Sequence, residues 1–449
     1  MKINSQRLRK NYANKPELNN VLSNIAWLFI DKILRMGVGL LVGVWIARYL
    51  GPEKFGQLNY ATAITGLLGS IAALGLPGIV VRDIVRKPET ANQTIGTAAV
   101  LQLIGSLVAY ILILTVIGYL RPNDTIARTI TAILGATVLF KASEVVVYWF
   151  EAKVQSKFTV WVQNSAFVVF AIIKVLLIYN KAPVMYFIWA MLGEAIVVAV
   201  VLLWVMHAYG ISLVLLSVSV ERAKELLKDS WPLILSGISI MIYMRIDQIM
   251  LGQMIGVEAA GIYSAATRIS EVWYFIPMAI VASMFPNIIE AKKNNEQEYY
   301  RRLQRLYDLM AGISVVASLL ITLVATPVIR MLYGEAYLEA GLVLSIHIWA
   351  SVFVFLGVAG EKWFLAENMQ KIALQRSIVG AVSSVVLNLV LIPRYGVVGA
   401  AISLVISQGI AAWLYDAINK STRIIFKMKL AALNPRSWIS MIAYYYKKG

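Results

Sequence analysis

Ionisable side chains are scarce in this chain, and the few that interrupt its long apolar runs are where its chemistry must lie. Arg35, Arg245 and Arg268 each fall inside such a run, as do Asp31, Glu144, Asp247 and Glu271. A charge held in hydrocarbon is costly, so it faces a cavity or a partner. Asp31 and Arg35 are four apart and share one helical face. Lys141 and Glu144, like Arg268 and Glu271, are three apart and can pair in the same way. Arg245 and Asp247 are two apart and must point to different faces. Arginine presents a planar fork of donors that fits phosphate and carboxylate, so arginines around one cavity would hold a diphosphate or an acidic sugar. Arg35, Arg245 and Arg268 are therefore the candidate substrate contacts, with Asp31 and Asp247 beside them. Lys141–Glu144 reads as neutralising glue between helices. Asp31, Glu144 and Asp247 are also candidates for binding a coupling ion, a role the residues alone do not separate from that of ion-pair partner.

Thiolate and histidine-rich metal sites are excluded by composition. The chain has no cysteine and two histidines, His207 and His347, so neither a thiolate site nor a His-rich centre can be assembled, and no cofactor is expected. His347, within an apolar run, reads as a hydrogen-bonded helix contact.

The elements that carry these charges are membrane helices. Hydrophobic residues make up 59% of the chain and charged residues 14%, with a mean hydropathy of +0.72. Ordinary globular chains are about a quarter charged, and a soluble fold could not hide so much apolar surface. The apolar runs reach the ~20 residues that cross a ~30 Å hydrocarbon layer. Twelve spans are predicted, at about 22–46, 58–81, 93–119, 127–150, 158–179, 183–206, 230–254, 260–289, 304–328, 338–360, 373–393 and 396–418. The first run follows a polar leader and is too long for a signal-peptide core, so it is expected to be retained. Pro277 and Pro286 should kink or shorten the eighth span.

The basic residues orient this topology. With the N-terminus in the cytoplasm, 28 of the 41 lysines and arginines fall on inner segments and 7 on outer loops. That alternating bias supports cytoplasmic N- and C-termini, and it accounts for the net charge of +17 without nucleic acid. The expected organisation is an all-α polytopic protein. It has an N-terminal six-helix bundle (1–206), a cytoplasmic linker (207–229), a C-terminal six-helix bundle (230–420) and a cytoplasmic interfacial tail (421–449) holding Trp438, Tyr444–Tyr446, Lys447 and Lys448. No loop is long enough to house soluble chemistry.

The two halves are related. Gly51, Glu53, Gly56, Ala61, Thr62 and Ile64 recur as Gly256, Glu258, Gly261, Ala266, Thr267 and Ile269, at a constant offset of 205. Six spans separate the copies, so the halves keep the same orientation, as in parallel transporter repeats flanking a central cleft. Gly51 and Gly256 suit helix C-caps, and Pro52 cannot continue a helix. Gly56 and Gly261 suit a tight re-entry, and the Ala-Thr pair suits close helix packing. The motif reads as a structural marker that singles out spans 1, 2, 7 and 8. Gly39 and Gly43, a G-x-x-x-G pair in span 1, suggest close packing as well.

Three stretches carry a family resemblance: Ile46–Gly56 (IARYLGPEKFG), Arg245–Leu251 (RIDQIML) with Gly261–Ile269 (GIYSAATRI), and Ile392–Ile402 (IPRYGVVGAAI). Their order and spacing resemble polysaccharide repeat-unit flippases of the Wzx type, in the multidrug/oligosaccharidyl-lipid/polysaccharide superfamily, over about residues 20–420. The resemblance implies two six-helix bundles around a cationic cleft, with cavity arginines at Arg35, Arg245 and Arg268. It implies an undecaprenyl-diphosphate-linked oligosaccharide as substrate, moved from the cytoplasmic to the periplasmic leaflet of a bacterial inner membrane by alternating access. Membrane lipids, glycosyltransferases and a glycan polymerase are the implied partners. An ion-coupled exporter of drugs from the same superfamily is the alternative, and an enzyme is disfavoured by the lack of a catalytic loop or nucleotide-binding motif. The two additional C-terminal spans of peptidoglycan-precursor flippases are not expected here, because the tail after 420 is too short to supply two crossings.

Overall fold

A computed structural model of the chain describes residues 15–209 and 217–438, with side chains at Trp27 and from Asp31 onward except at position 294. Every secondary-structure element among the described residues is helical. Hydrocarbon offers no water to a backbone N–H or C=O, so a spanning segment must satisfy them internally, which an α-helix does. Ten helical runs are long and apolar enough to cross a membrane. Two of them, Asp31–Arg86 and Gln370–Ile418, hold 56 and 49 residues, too long for one crossing. Each is divided by a glycine outside helical geometry, Gly51 (φ 74, ψ 169) and Gly396 (φ 55, ψ −132), which brings the spans to the twelve expected.

In chain order the helices are α1 (Lys15–Gly69), α2 (Pro77–Arg86), α3 (Ala91–Leu120), α4 (Thr125–Ala136), α5 (Val145–Ala152), α6 (Lys157–Tyr179), α7 (Val184–Ala208) and α8 (Val220–Met254). There follow α9 (Val257–Glu271), α10 (Phe275–Asn294), α11 (Glu296–Tyr333), α12 (Glu339–His347), α13 (Ala350–Ala366), α14 (Gln370–Gly409), α15 (Tyr415–Ile418) and α16 (Arg423–Ala432). They form two compact units. One comprises Leu68–Ile234 with the residues up to Ile46; the other comprises Ala47–Leu67 with the residues from Leu235 onward. The first unit packs around Val80, Ile95, Val146, Leu202 and Met206, and the second around Leu303, Tyr307, Met310, Phe355, Leu356 and Trp363. Apolar residues turned outward, such as Leu103, Leu107 and Ile111 along one stripe of α3, explain the high hydropathy, since their solvent is lipid.

Span 4 is not one α-helix. Between α4 and α5 the chain runs as a 3-10 helix from Thr137 to Glu144, an unusual length for that geometry, and it carries both Lys141 and Glu144. The eighth span breaks where its prolines suggest. A 3-10 turn, Val272–Tyr274, separates α9 from α10 just before Pro277, whose missing N–H cannot sustain the ladder. Pro286, by contrast, is accommodated inside α10. In the tail, α16 buries Ile425, Met428, Lys429 and Ala432 against the second unit, and the Trp438 indole donates to the Ala432 carbonyl at 2.6 Å. Tyr444–Tyr446, Lys447 and Lys448 lie outside the described residues.

The repeated motif packs against itself. Gly51 and Gly256 (φ 141) both take left-handed φ values, and the Gly256 N–H closes on the Leu251 carbonyl at 3.0 Å, so both glycines end one helix before the next begins. Gly56 and Gly261 do not make the re-entry turn; both are inside helices and face each other. A Cβ at Gly56 would fall on the Val257 carbonyl oxygen, and one at Gly261 on the Pro52 carbonyl oxygen, both far inside van der Waals contact. Positions 52 and 257, like 56 and 261, are equivalent at the offset of 205. The contact is thus reciprocal, backbone on backbone, and only glycine permits it. Gly37 and Gly39 differ: a Cβ at Gly37 meets nothing, and one at Gly39 makes an ordinary 3.7 Å contact with Phe167. Neither of these glycines marks a close helix approach. Replacing Gly56 or Gly261 with alanine should lower the melting temperature of the detergent-solubilised protein sharply, by the equivalent of more than about 2 kcal/mol. The same change at Gly37 should leave it within experimental error.

Candidate functional site

In the second unit, α8 turns Arg245 and Asp247 to different partners, as their two-residue spacing requires. The Arg245 guanidinium donates from Nη1 and Nη2 to the two carboxylate oxygens of Glu271, both at 3.4 Å. This is bidentate geometry at stretched distance, with about a quarter to a third of each side chain exposed (31% and 25%). Such a pair is weakly held and can exchange partners. Asp247 is buried. It accepts from the Tyr263 hydroxyl at 2.8 Å and from Asn388 Nδ2 at 2.5 Å, and no lysine or arginine among the described residues lies within ion-pair distance of it.

Arg268 does not pair with Glu271, although their spacing allows it. Its guanidinium lies 5.2 Å from the centroid of the Phe55 ring, while Arg245 takes the carboxylate. Phe55 is fully buried on the first motif copy, so that copy supplies the aromatic face on which Arg268 rests. His347 makes the expected contact: its Nδ1 lies 2.5 Å from the Ser270 hydroxyl. Glu53 and Glu258 are exposed in the first turns of their helices, where a negative charge suits the helix dipole.

Arg35 and Asp31 belong to the other unit. Arg35 Nε donates to Asp31 at 2.6 Å, and the guanidinium sits 5.6 Å from the Phe167 ring centroid. Arg35 Nη2 is buried and without a hydrogen-bond partner, so the acid beside it does not exhaust its donors. Lys141 and Glu144 form no ion pair. Lys141 Nζ donates instead to the Gly69 carbonyl at 3.3 Å. Lys174 and Glu194, on α6 and α7, do pair at 2.8 Å. Arg245, Asp247, Glu271 and Arg268 are therefore gathered on α8 and α9 of one unit, with Arg35 and Asp31 together in the other.

The chain matches the model of a family described as polysaccharide biosynthesis protein over residues 21–292, more than half its length. The chain belongs to the polysaccharide biosynthesis protein family. A second model, MatE, matches residues 232–390. Among similar proteins, the probable flippase AglR of Haloferax volcanii is 23% identical over 387 residues, covering 84% of this chain and 79% of AglR. The capsular polysaccharide biosynthesis protein CapF of Staphylococcus aureus is 20% identical over 398 residues, covering 88% and 98%. Solved structures share the fold. An inward-facing multidrug resistance MATE family transporter of the MOP superfamily aligns with a TM-score of 0.72 at 18% identity, covering 91% of this chain and 98% of that one. The lipid II flippase MurJ aligns at 0.71 and 13% identity, covering 95% and 93%. This member of the family is a multi-pass membrane protein of the MOP fold.

One charged cluster escapes a reading by spans. Arg376 and Lys429 look like loop and tail cations in the sequence, yet both are buried in the second unit beside Asp416. Lys429 Nζ donates to Asp416 Oδ2 at 2.6 Å and to the Ala412 carbonyl at 2.7 Å. Arg376 Nη1 lies 3.9 Å from the same carboxylate. The available signal was an acid at the end of the last span with a lysine thirteen residues on, across a turn. Burial pushes the Lys429 ammonium down to about 8; Asp416 and Glu361 favour the charge, and Arg376 opposes it. The folded protein thus gives up this proton before the unfolded chain does, near 10.5, so the site's contribution to stability rises from pH 8 to 10.5. Lys429→Met should abolish that rise in melting temperature.

Proposed function

We propose that this protein is a lipid-linked oligosaccharide flippase, moving undecaprenyl-diphosphate-linked glycan repeat units from the cytoplasmic to the periplasmic leaflet of a bacterial inner membrane. The observation that carries the reading is Arg245: a guanidinium inside an apolar helix, held by Glu271 only at 3.4 Å, in a chain of the polysaccharide biosynthesis family. A diphosphate offers more charge and better-placed oxygens than that carboxylate, so it would displace Glu271 and take the bidentate face of Arg245. Arg268, resting on Phe55, is a second cation of the same unit, and Arg35 is the candidate cation of the other. No covalent bond changes. The protein exchanges the water around a charged head for fixed donors while the lipid tail stays in hydrocarbon, and alternating access releases the head on the other side.

The charge bias of the loops supports cytoplasmic N- and C-termini. Asp247, an acid buried without a cation, has the chemistry of a group that binds a proton or a coupling cation, more so than Asp31, which is held by Arg35. The partners on this reading are the glycosyltransferases that build the lipid-linked unit and the polymerase that consumes it, and the protein itself is not an enzyme. A second reading, an ion-coupled exporter of small molecules, is favoured by the MatE match over residues 232–390.

Arg245→Glu should abolish export of the glycan, scored as loss of surface polysaccharide, while the amount of protein in the membrane is unchanged. The swap Arg245→Glu with Glu271→Arg should restore the ion pair and the melting temperature without restoring export. Full export by the single variant would sink the proposal. Changed drug resistance with intact surface polysaccharide in a deletion strain would replace it with the exporter.

A further inference from the structure

The last acid in the chain is Asp416, and the residues after it carry seven lysines and arginines. The structure sorts these cations. Lys429 is buried against Asp416 at 2.6 Å, which fixes the way α16 faces. The Thr422 hydroxyl donates to the Asp416 carbonyl at 2.8 Å and holds the start of the helix. Beyond its other end, the Trp438 indole donates to the Ala432 carbonyl, and the Trp438 ring lies over Gly312, where a Cβ would stand 3.3 Å from it. The helix is thus pinned from both ends.

Its outer face follows from its inner one. At about 100° per residue, burying Ile425, Met428, Lys429 and Ala432 turns Arg423, Lys427 and Leu430 outward. Lys420 is exposed in the turn just before. None of these three exposed cations has an acid within ion-pair distance among the described residues. Arg423 engages only Nε, on the Ala417 carbonyl at 3.2 Å. Arg423 and Lys427 are four apart on one helix and repel each other, a cost that an anion between them removes. Ile424 and Leu430, 40% and 51% exposed, stand beside them. A helix face of cations and large apolar side chains suits the boundary between water and lipid, where the apolar groups leave water and the charged tips stay near it. The row begins two residues after Ile418, where the last span ends, so it lies at that boundary.

We infer that the outer face of α16 docks on anionic phospholipid of the leaflet it borders, with lipid phosphates bridging Lys420, Arg423 and Lys427 and the first acyl carbons covering Ile424 and Leu430. On the orientation proposed above this is the cytoplasmic leaflet. Basic clusters directly after a span are drawn to the negative surface of such a leaflet. The face shares no residue with the set assigned to the transported head group. The inference does not depend on the flippase reading, since it concerns the bulk lipid around the tail and not the cargo.

The chain has no cysteine, so Ala431→Cys, exposed on α16, offers a single attachment point for a fluorophore. The test places the labelled full-length protein in phosphatidylcholine vesicles and adds phosphatidylglycerol or phosphatidylcholine carrying a nitroxide quencher near the head group. Each cation near the surface is worth about a fivefold preference for anionic lipid. Phosphatidylglycerol should therefore reach half-quenching at a mole fraction at least about tenfold lower than phosphatidylcholine. Lys420→Gln with Arg423→Gln and Lys427→Gln should erase that preference. Lys420→Arg with Lys427→Arg should keep it, which separates the charge from any effect on the fold. Lys224→Gln with Lys228→Gln and Lys293→Gln removes three exposed lysines elsewhere and should leave it unchanged. Equal quenching by the two lipids overturns the inference and leaves the face to an acidic protein. A preference that survives the triple tail variant, or that the second triple variant removes as fully, overturns it too, because the attraction then belongs to net charge and not to α16.

Discussion

Inside a hydrocarbon layer no water completes the bonding of a donor, an acceptor or a charge, and the arrangement of every polar group in this protein follows from that. Backbone groups are satisfied by helices throughout. Side-chain charges are satisfied by neighbours, one by one: Asp31 by Arg35, Glu194 by Lys174, Glu271 by Arg245, Asp416 by Lys429. The departures are informative for the same reason. Arg245 holds its acid at 3.4 Å where Lys429 holds Asp416 at 2.6 Å, and Asp247 has hydrogen bonds from Tyr263 and Asn388 but no cation. Loosely held charge in a place where charge is costly marks a group kept for an exchangeable partner.

The duplicated glycine element places these helices. Gly56 and Gly261 bring the backbones of α1 and α9 into direct contact, each against the carbonyl of the residue equivalent to the other's neighbour. Phe55, next to Gly56, is thereby delivered to the Arg268 guanidinium. The motif touches no substrate on this account, yet it sets where an arginine of α9 can point. A packing signature and a functional residue are linked through one helix crossing.

Similarity to transporters with different cargo fits the same economy. The likeness to a MATE transporter and to MurJ is a likeness of fold at 18% and 13% identity, and fold alone does not choose a substrate. Membership of the polysaccharide biosynthesis family is what turns the proposed reading toward an anionic, glycan-bearing head, and the loosely held Arg245 agrees with it.

The sequence by itself determined the class of molecule, the positions of the spans and the relation between the halves, because hydropathy, breaking residues and a repeat at fixed offset are local properties that a membrane translates directly into helices. It also determined that Arg245 and Asp247 diverge, since two residues on a helix cannot share a face. Only the tertiary structure decided who meets whom. Spacing allowed Arg268 to pair with Glu271 and Lys141 with Glu144, but Arg245 reaches Glu271 from another helix and Lys141 finds the Gly69 carbonyl. Gly56 and Gly261 were legible as small residues but not as partners of each other. Arg376 and Lys429 were legible as loop cations but not as the buried neighbours of Asp416. In each case the deciding contact joins different helical elements, and no periodicity records which helix will stand opposite.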